Sequence, residues 1–509
     1  MTDEGRSTGI LSTTPARHAL RTFFIALALF LLYAFSVQAT EISLERALDP
    51  GRQEGFVRVL RLLADPDILR VDAESGRISL SEATELTFDG IIETIFMALM
   101  ATTIGTALAI PVSFLAARNL MINVRAPLAA IMTSLVAIPI GGWLGWQVFD
   151  TLMAFSAQAS EEVVTGIGAV VIAGVLAWPV LRLGPPVLTD RGQSPGALLV
   201  SVIRLAVTVL LFFFSLGVLA HLGLAAGAWL EVALGPFAFL GNFVFVVSNL
   251  VRLTLPVLMA FVGAVIGASL GSRYGQEAVL RFEGTPARLL TAVLTALGTA
   301  TFVYGVGAAL NWLYLFDNPD RWTTIPAAIT GTAAGVLALF MAPKRPFPIG
   351  FTLYTISRGI LNALRSIEPL ILGIVFVIWV SLGPFAGVMA LGLHTIAALG
   401  KLYSEQVEGI SEGPLEAITA TGANRLQTIA YAVIPQIVPP YLAFTLYRWD
   451  INVRLATIIG FVGGGGIGLV LSQNIQQLRY QQASVMMIAI AVVVSLLDYI
   501  SSRIRSRII

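Results

Sequence analysis

The chain has 509 residues, of which 56% are hydrophobic and 12% are charged, and its formal net charge is +1. A soluble globular chain carries roughly a quarter of its residues as charged ones, so this composition predicts a membrane protein. The absence of cysteine excludes disulfides and thiolate metal sites, and we expect neither a bound metal nor a nucleic-acid partner. His394 lies inside an apolar run, where we expect it to pack rather than to bind a ligand.

The first apolar run, residues 22–39, follows a basic segment and is long enough for one membrane span. The same pattern fits a cleavable signal peptide, but we favour a retained span because a protein with many spans seldom needs a removable signal. In either case Glu41 falls outside the cell. Residues 41–89 are polar with an amphipathic run at 56–63, which predicts an external helix at the membrane surface.

Apolar segments of helical length fill most of the remaining chain, and the charged loops between them orient the spans by the positive-inside rule. The alternation holds only if residues 237–271 form one span, so we expect part of 224–249 to be re-entrant or interfacial. The basic C-terminal tail predicts a cytoplasmic C-terminus. Counting the apolar segments gives about twelve spans, so we expect an all-α polytopic fold with both termini in the cytoplasm. The predicted spans are 22–39, 90–117, 126–155, 163–181, 197–222, 237–271, 289–316, 325–342, 369–382, 383–400, 434–471 and 484–500.

A polar helical loop, residues 414–421, stands out against this apolar background. Pro414 suits the first position of a helix, and Glu416 suits the positive end of the helix dipole. Gly422 supplies a left-handed residue to end the helix, and Asn424 can cap the next one. A compact helix–Gly–helix unit with small surface residues fits the cleft of a partner protein. The simpler alternative is an ordinary loop between two spans.

This loop resembles the EAA loop of permease subunits of bacterial binding-protein-dependent ABC importers. Gly422 follows Glu416 by six residues, and Ile434-Pro435 follows after the expected gap. Ile418 and Ala432 depart from the usual pattern but stay apolar. The resemblance implies that ATPase subunits dock here. The predicted docking residues are Glu416, Ala417, Ile418, Gly422, Ala423, Arg425 and Pro435.

The resemblance is strongest to the phosphonate/phosphite branch of that family, through YRWDINVR at 447–454 and the glycine run that follows it. Asp450 stands where that branch has Glu. A separate match lies at 92–119, whereas 121–350 does not resemble the family and looks like an inserted multi-span region. The implied organisation is an N-terminal span and external segment, a first core block, the insertion, and the main part of a type I importer (MetI-like) core. Their boundaries are 1–89, 90–120, 121–350 and 351–509.

Four polar residues near the middle of one apolar segment form the candidate solute path. Ionisable groups in a bilayer are retained in a bundle interior or a water-filled path. Asp450 and Arg454 are four residues apart and can neutralise each other, which leaves Arg448, with Asn452 beside it, as the more available cation. A guanidinium fork matches the oxygens of a phosphonate. An internal ion pair that only stabilises the fold is an equal alternative.

Two further patterns are weaker indications of a functional site. The glycines resemble a phosphate-binding loop only in composition, since no Lys-Ser/Thr ending follows, and we expect a helix break or gate with close backbone packing. Glu277, with Gly284 seven residues later, faintly echoes the docking loop, against the alternative of a plain basic loop. The glycines of the candidate gate are Gly463, Gly464, Gly465, Gly466 and Gly468.

The sequence contains no Walker A motif, so we expect a transport subunit rather than an enzyme. The resemblance implies an inner-membrane importer of a phosphorus oxyanion, with an extracytoplasmic solute-binding protein and with ATP and Mg²⁺ in partner ATPase subunits. One docking loop per chain predicts a homodimer embedded in lipid, with pairing to a second permease as the less favoured alternative. The alternatives are an ion-gradient-driven secondary transporter, which the span number also fits, and a membrane scaffold or receptor that has lost transport.

Overall fold

The computed structural model describes residues 15–40, 45, 48–71, 78–182 and 195–508, and most of them are helical. Among these residues, eleven helices are long and apolar enough to cross a membrane, or up to twelve spans are present if a bent helix pair counts as one. The predicted all-α polytopic fold with about twelve spans is confirmed. The prediction for Glu41 lies outside the described residues.

The helices and strands are numbered in chain order. They are α1 Pro15–Ala39, α2 Pro50–Leu63, β1 Leu69–Val71, β2 Ile78–Leu80, α3 Glu82–Leu115, α4 Arg118–Met121, β3 Ala126–Pro127, α5 Leu128–Ala159, α6 Val163–Arg182, α7 Pro195–Ala233, α8 Ala238–Arg281, α9 Thr285–Tyr314, α10 Pro319–Trp322, α11 Thr324–Leu339, β4 Pro346–Phe347, α12 Ile349–Ser366, α13 Pro369–Val380, α14 Pro384–Glu408, α15 Glu412–Ala420, α16 Arg425–Thr428, α17 Ile434–Gly460, α18 Gly466–Gln476 and α19 Tyr480–Ile508.

The chain divides into two compact units. The first unit comprises residues 1–117 and 356–509, and the second comprises 118–355. The predicted insertion, 121–350, has its boundaries close to those of the second unit. Within that unit β3 pairs with β4 in antiparallel register. This pairing brings the two ends of the unit together, which is the geometry that lets a segment be inserted into another fold at one point.

The first unit is built around α3, α14 and α17, whose apolar faces pack together. Met97, Leu391 and Ile459 are buried in one cluster of its core. Toward the end of α14 that leads into the docking loop, Tyr403 stacks on Tyr441 of α17 with ring centroids 3.8 Å apart. These contacts join residues that are far apart in sequence, and they hold together the three helices that carry the candidate site.

A sharp break separates α12 from α13, whose axes differ by 89°. Pro369 begins α13, where its missing N–H removes no helical hydrogen bond. The helix has 12 residues, or about 18 Å at 1.5 Å per residue. That length is less than the roughly 30 Å hydrocarbon core of a bilayer. The prediction of a separate span at 369–382 is therefore wrong, because this segment is one limb of a bent pair.

The second unit contains six long helices among its described residues, α5 to α9 and α11. The helices α7 and α8 have 39 and 44 residues and are joined by a short 3₁₀ turn, Gly235–Phe237. The prediction of a re-entrant segment within 224–249 is wrong, whereas an interfacial position for part of it stays a prediction. These residues continue two uninterrupted helices, because apolar residues longer than the bilayer thickness are accommodated by tilt or by extension past the hydrocarbon.

The predicted external amphipathic run lies on α2, which is longer than 56–63 and begins at Pro50. Phe56, Val57 and Leu60 are exposed on this helix. Just after its C-terminal end, the Asp65 carboxylate accepts a hydrogen bond of 2.8 Å from Gln481 at the start of α19. The helix is thus tied to one end of the first unit, with its apolar residues free to contact a membrane surface.

Candidate functional site

The docking helix, α15, begins two residues earlier than the sequence predicts. Its N-cap is Ser411, and Glu412 is the acidic residue of its first turn. Pro414 is therefore the third residue of the helix, and the prediction that it occupies the first position is wrong. Proline is accommodated there because the first four N–H groups of a helix have no partner within the helix.

The end of α15 is built as predicted. Gly422 has a φ of +79° in the left-handed region, with open space around the position of a Cβ atom. The backbone N–H of Gly422 donates to the carbonyl of Thr419 at 3.0 Å. The next helix is capped reciprocally, since Gln427 N donates to Asn424 Oδ1 and Asn424 N donates to Gln427 Oε1, both at 2.9 Å. Hydrogen bonds between residues close in sequence therefore cap both helices of the helix–Gly–helix unit.

The docking residues form a surface rather than a pocket. Glu416, Ala417, Gly422 and Pro435 are exposed. Ile418 and Ala423 are half-buried, so they support the helix from beneath. The side chain of Arg425 lies outside the part of the chain that the structure describes. A smooth exposed helix of this kind suits contact with a protein cleft.

Beneath this surface the chain enters α17 through one π-helical turn, Ile429–Val433. Such turns widen a helix locally and occur often at functional sites. The backbone N–H of Ser411 donates to Gln436 Oε1 at 3.0 Å, which ties the start of α15 to the start of α17. The start of the docking helix is therefore held by the long helix into which the loop leads.

Sequence reasoning missed an arginine that joins three helices near this root. Arg358, on α12, donates to the carbonyl of Ala116 at 3.1 Å and to Glu408 Oε1 at 2.9 Å. Glu405 lies 3.9 Å from the same guanidinium. Glu408 is the last residue of α14 and lies shortly before the docking helix. Arg358 therefore links the end of α14 to α3 and α12. Its place in a strongly amphipathic helix was the available sequence signal.

The candidate solute-path residues are largely buried. Arg448 is 8% exposed, Asp450 3% and Asn452 0%. Asn452 Nδ2 donates to Thr102 Oγ1 at 2.8 Å and to Thr395 Oγ1 at 2.9 Å. Asn452 therefore joins α17 to α3 and α14 and is fully occupied by the protein. The two threonines were missed, because nothing in the sequence links them to a residue so distant along the chain.

Asp450 and Arg454 form the predicted pair, with Arg454 Nη2 2.7 Å from Asp450 Oδ2. Arg454 is half exposed and also lies 3.4 Å from Asp498, on α19. Arg448 makes no ion pair with any described residue. Its Nε donates to Thr395 Oγ1 at 3.5 Å, and its buried Nη2 has no hydrogen-bond partner. Of the buried residues among the four, Arg448 is thus the one with a donor left to offer.

The glycine run breaks the predicted 434–471 segment into two helices. The chain leaves α17 at Gly460 and enters α18 at Gly466. A Cβ on Gly465 would lie 2.7 Å from the backbone of Pro384, so only glycine allows this approach. The backbone N–H of Ile467 donates to Thr94 Oγ1 at 2.9 Å. The helix break with close backbone packing is confirmed, whereas its action as a gate stays a prediction.

Among the described residues there is no group of three or more His, Asp or Glu side chains placed to hold a metal ion. The site therefore consists of an exposed docking helix, a buried polar cluster and a tightly packed glycine loop, all in the first unit. Such a combination can transmit movement and accommodate an anion.

A family model described as "Binding-protein-dependent transport system inner membrane component" matches residues 334–508. A cryptic phosphonate transport system permease protein of Escherichia coli is 49% identical over 121 residues, which cover 24% of this chain and 99% of that protein. The chain belongs to this permease family. It is a multi-pass membrane transport subunit, and its role is that of a permease rather than of an enzyme.

Two other relatives extend the likeness. A phosphite transport system permease protein of Stutzerimonas stutzeri is 38% identical over 188 residues, which cover 36% of this chain and 67% of that protein. A phosphate-import permease protein of Mycolicibacterium smegmatis is 29% identical over 476 residues, covering 82% of this chain and 85% of that protein. That share exceeds the first unit, so the similarity continues into the second unit.

The family membership decides between the classes of transporter. Permeases of this family work with ATPase subunits and a solute-binding protein, so both kinds of partner are implied. The alternative of an ion-gradient-driven secondary transporter is therefore wrong. Span number and helical content could not exclude it, because both classes of transporter share them.

The faint echo of a second docking loop at Glu277 has no matching geometry. Glu277 lies within the last turns of α8 and pairs with Arg281 at 3.0 Å. Three residues separate α8 from α9, and no short helix stands between them. This connection is the plain basic loop of the alternative interpretation.

Proposed function

We propose that this permease imports a phosphorus oxyanion, namely a phosphonate, phosphite or phosphate. The observation that carries the proposal is the set of similar permeases, whose names refer to phosphite, phosphate and phosphonate transport. The buried, unpaired guanidinium of Arg448 supports it, because a planar fork of donors matches the oxygens of such anions.

The coupling that we propose runs through α15. ATPase subunits, which bind ATP and Mg²⁺, would close beneath Glu416–Gly422 and move this helix as a lever. A solute-binding protein would deliver the anion at the outer face. One docking helix among the described residues favours a homodimer, since two ATPases form the motor. Both termini would be cytoplasmic, and the exposed apolar surfaces of the spans would contact lipid.

The test is uptake of radiolabelled phosphite, phosphate and methylphosphonate by proteoliposomes that contain the permease, its ATPase and its binding protein. We expect ATP-dependent uptake of at least one of the three, insensitive to an uncoupler of ion gradients. Absence of uptake of all three, with uptake of an unrelated solute, would overturn the substrate class.

Docking is tested by Gly422→Asp, which places a charged side chain on a left-handed, exposed position of the loop. We expect uptake to be abolished while the amount of protein in the membrane is unchanged. The matched control is Gly284→Asp, because Gly284 also has a positive φ, +66°, and open space around its Cβ position. If Gly422→Asp transported as well as Gly284→Asp, the proposal that this loop docks the ATPase would be wrong.

A further inference from the structure

The buried cation Arg448 does not stand alone in the first unit. Arg365, in the last turn of α12, and His394, on α14, both interact electrostatically with it. None of the three forms an ion pair with a carboxylate of a described residue. A group of three nitrogen-bearing side chains from three helices therefore faces one region of the membrane-embedded core without a counter-charge.

These three side chains differ in accessibility. Arg448 is more than nine-tenths buried and its Nη2 has no partner, and the buried Nδ1 of His394 is likewise without a partner. Arg365 is exposed and makes no ion pair with a described residue. The group thus runs from an open side at Arg365 to a closed end at Arg448. Keeping such an uncompensated charge out of water is costly unless an anion joins it.

The group lies at the break between α12 and α13. Ile367 lies within that break and packs against the core cluster that contains Leu391, three residues before His394 on α14. The buried Nδ1 of His394 has no hydrogen-bond partner, and a neutral imidazole protonated at Nε2 offers Nδ1 as an acceptor. Solute sites of membrane transporters are often formed by discontinuous helices of this kind.

We propose that Arg448, His394 and Arg365 form a binding site for the anion in transit, and that this site accepts a monoprotonated phosphorus oxyanion. The two guanidinium groups would donate to P–O⁻ oxygens, and His394 Nδ1 would accept a hydrogen bond from P–OH. Sulfate offers no S–OH at neutral pH and would leave the imidazole acceptor unpaired, so the site discriminates against it. This inference rests on the proposed function and names the residues that perform it.

The experiment uses the complete reconstituted transporter and the oxyanion that the wild type imports. We expect Arg448→Gln to lower uptake at least tenfold, since a charge-assisted contact is lost, while loaded binding protein still stimulates ATP hydrolysis. Arg365→Gln and His394→Leu should each raise the KM for uptake severalfold. His394→Asn, which returns an amide near the Nδ1 position, should restore part of the loss. The matched control is Arg321→Gln, at an exposed position of α10.

The outcomes separate the two claims. If the wild type imports no phosphorus oxyanion, the proposed function fails. If it does, and Arg365→Gln and His394→Leu transport like Arg321→Gln, the site is overturned while the function stands. If Arg448→Gln loses both uptake and ATPase stimulation, a loss of the fold would explain both. Uptake by Arg365→Gln then tests the site, because replacing this exposed residue at a helix end leaves the core intact.

Discussion

The docking helix and the charged stretch of α17 are both polar regions of an apolar chain, yet they are built in opposite ways. Every hydrogen bond that shapes the end of α15 joins residues within four positions of each other. Asn452, in contrast, is held by Thr102 and Thr395, which lie 350 and 57 positions away. The predicted docking surface is local and exposed, and the buried polar cluster is assembled by the fold.

Apart from the loss of uptake proposed for Gly422→Asp, the largest effect that we expect concerns the link between the two regions. Arg358→Gln removes the charge-assisted contacts that join the end of α14 to α3 and α12. We expect uptake to fall more than tenfold while ATP hydrolysis continues, because movement of the docking helix is no longer passed to the core. Both rates are measured in proteoliposomes, with the exposed Arg345→Gln as control. Unchanged coupling would show that Arg358 only packs.

A large loss of stability is expected when Asp450 loses its partner. Arg454→Gln leaves a buried carboxylate unpaired, which costs on the order of 3 kcal/mol. The thermal denaturation midpoint of the purified protein should fall clearly. Adding Asp450→Asn to this variant should recover most of the loss, since the buried charge is then gone. A double variant as unstable as Arg454→Gln alone would contradict this account.

A smaller loss is expected at Asn452. The substitution Asn452→Leu keeps the volume but removes two hydrogen bonds between helices, at a cost of about 1–2 kcal/mol. The cost stays modest because the Thr102 hydroxyl also bonds the carbonyl of Ala98 at 2.7 Å and so keeps a partner. Thermal denaturation of the purified variant measures this effect. A midpoint equal to that of the wild type would show that the buried network contributes nothing.

The smallest effect is expected at the exposed cap. Asn424→Ala removes the reciprocal cap and weakens the start of α16 by about 1 kcal/mol. Uptake should stay within twofold of the wild type, and Gln427→Ala should behave in the same way because the two side chains share the cap. If Asn424→Ala alone abolished uptake, its side chain would have to contact the ATPase directly.

Prediction from sequence succeeded where the responsible interactions are short-range. The left-handed Gly422, the cap at Asn424 and the pair of Asp450 with Arg454 all follow from spacings of four residues or fewer, and all are present. It failed where helix length or direction was decided by neighbours. The 369–382 segment is a short bent limb, and residues 224–249 continue two long helices, although apolar composition alone fits a span or a re-entrant loop equally well.

The sequence by itself determined the membrane class, the helical content and the docking loop, because hydropathy and turn chemistry are properties of neighbouring residues. It also placed a cation inside an apolar span at Arg448. Only the tertiary structure decided that this cation has no carboxylate partner among the described residues, that it bonds Thr395 beside His394, and that Arg358 joins three helices. These facts depend on contacts between residues tens to hundreds of positions apart, which no local pattern encodes.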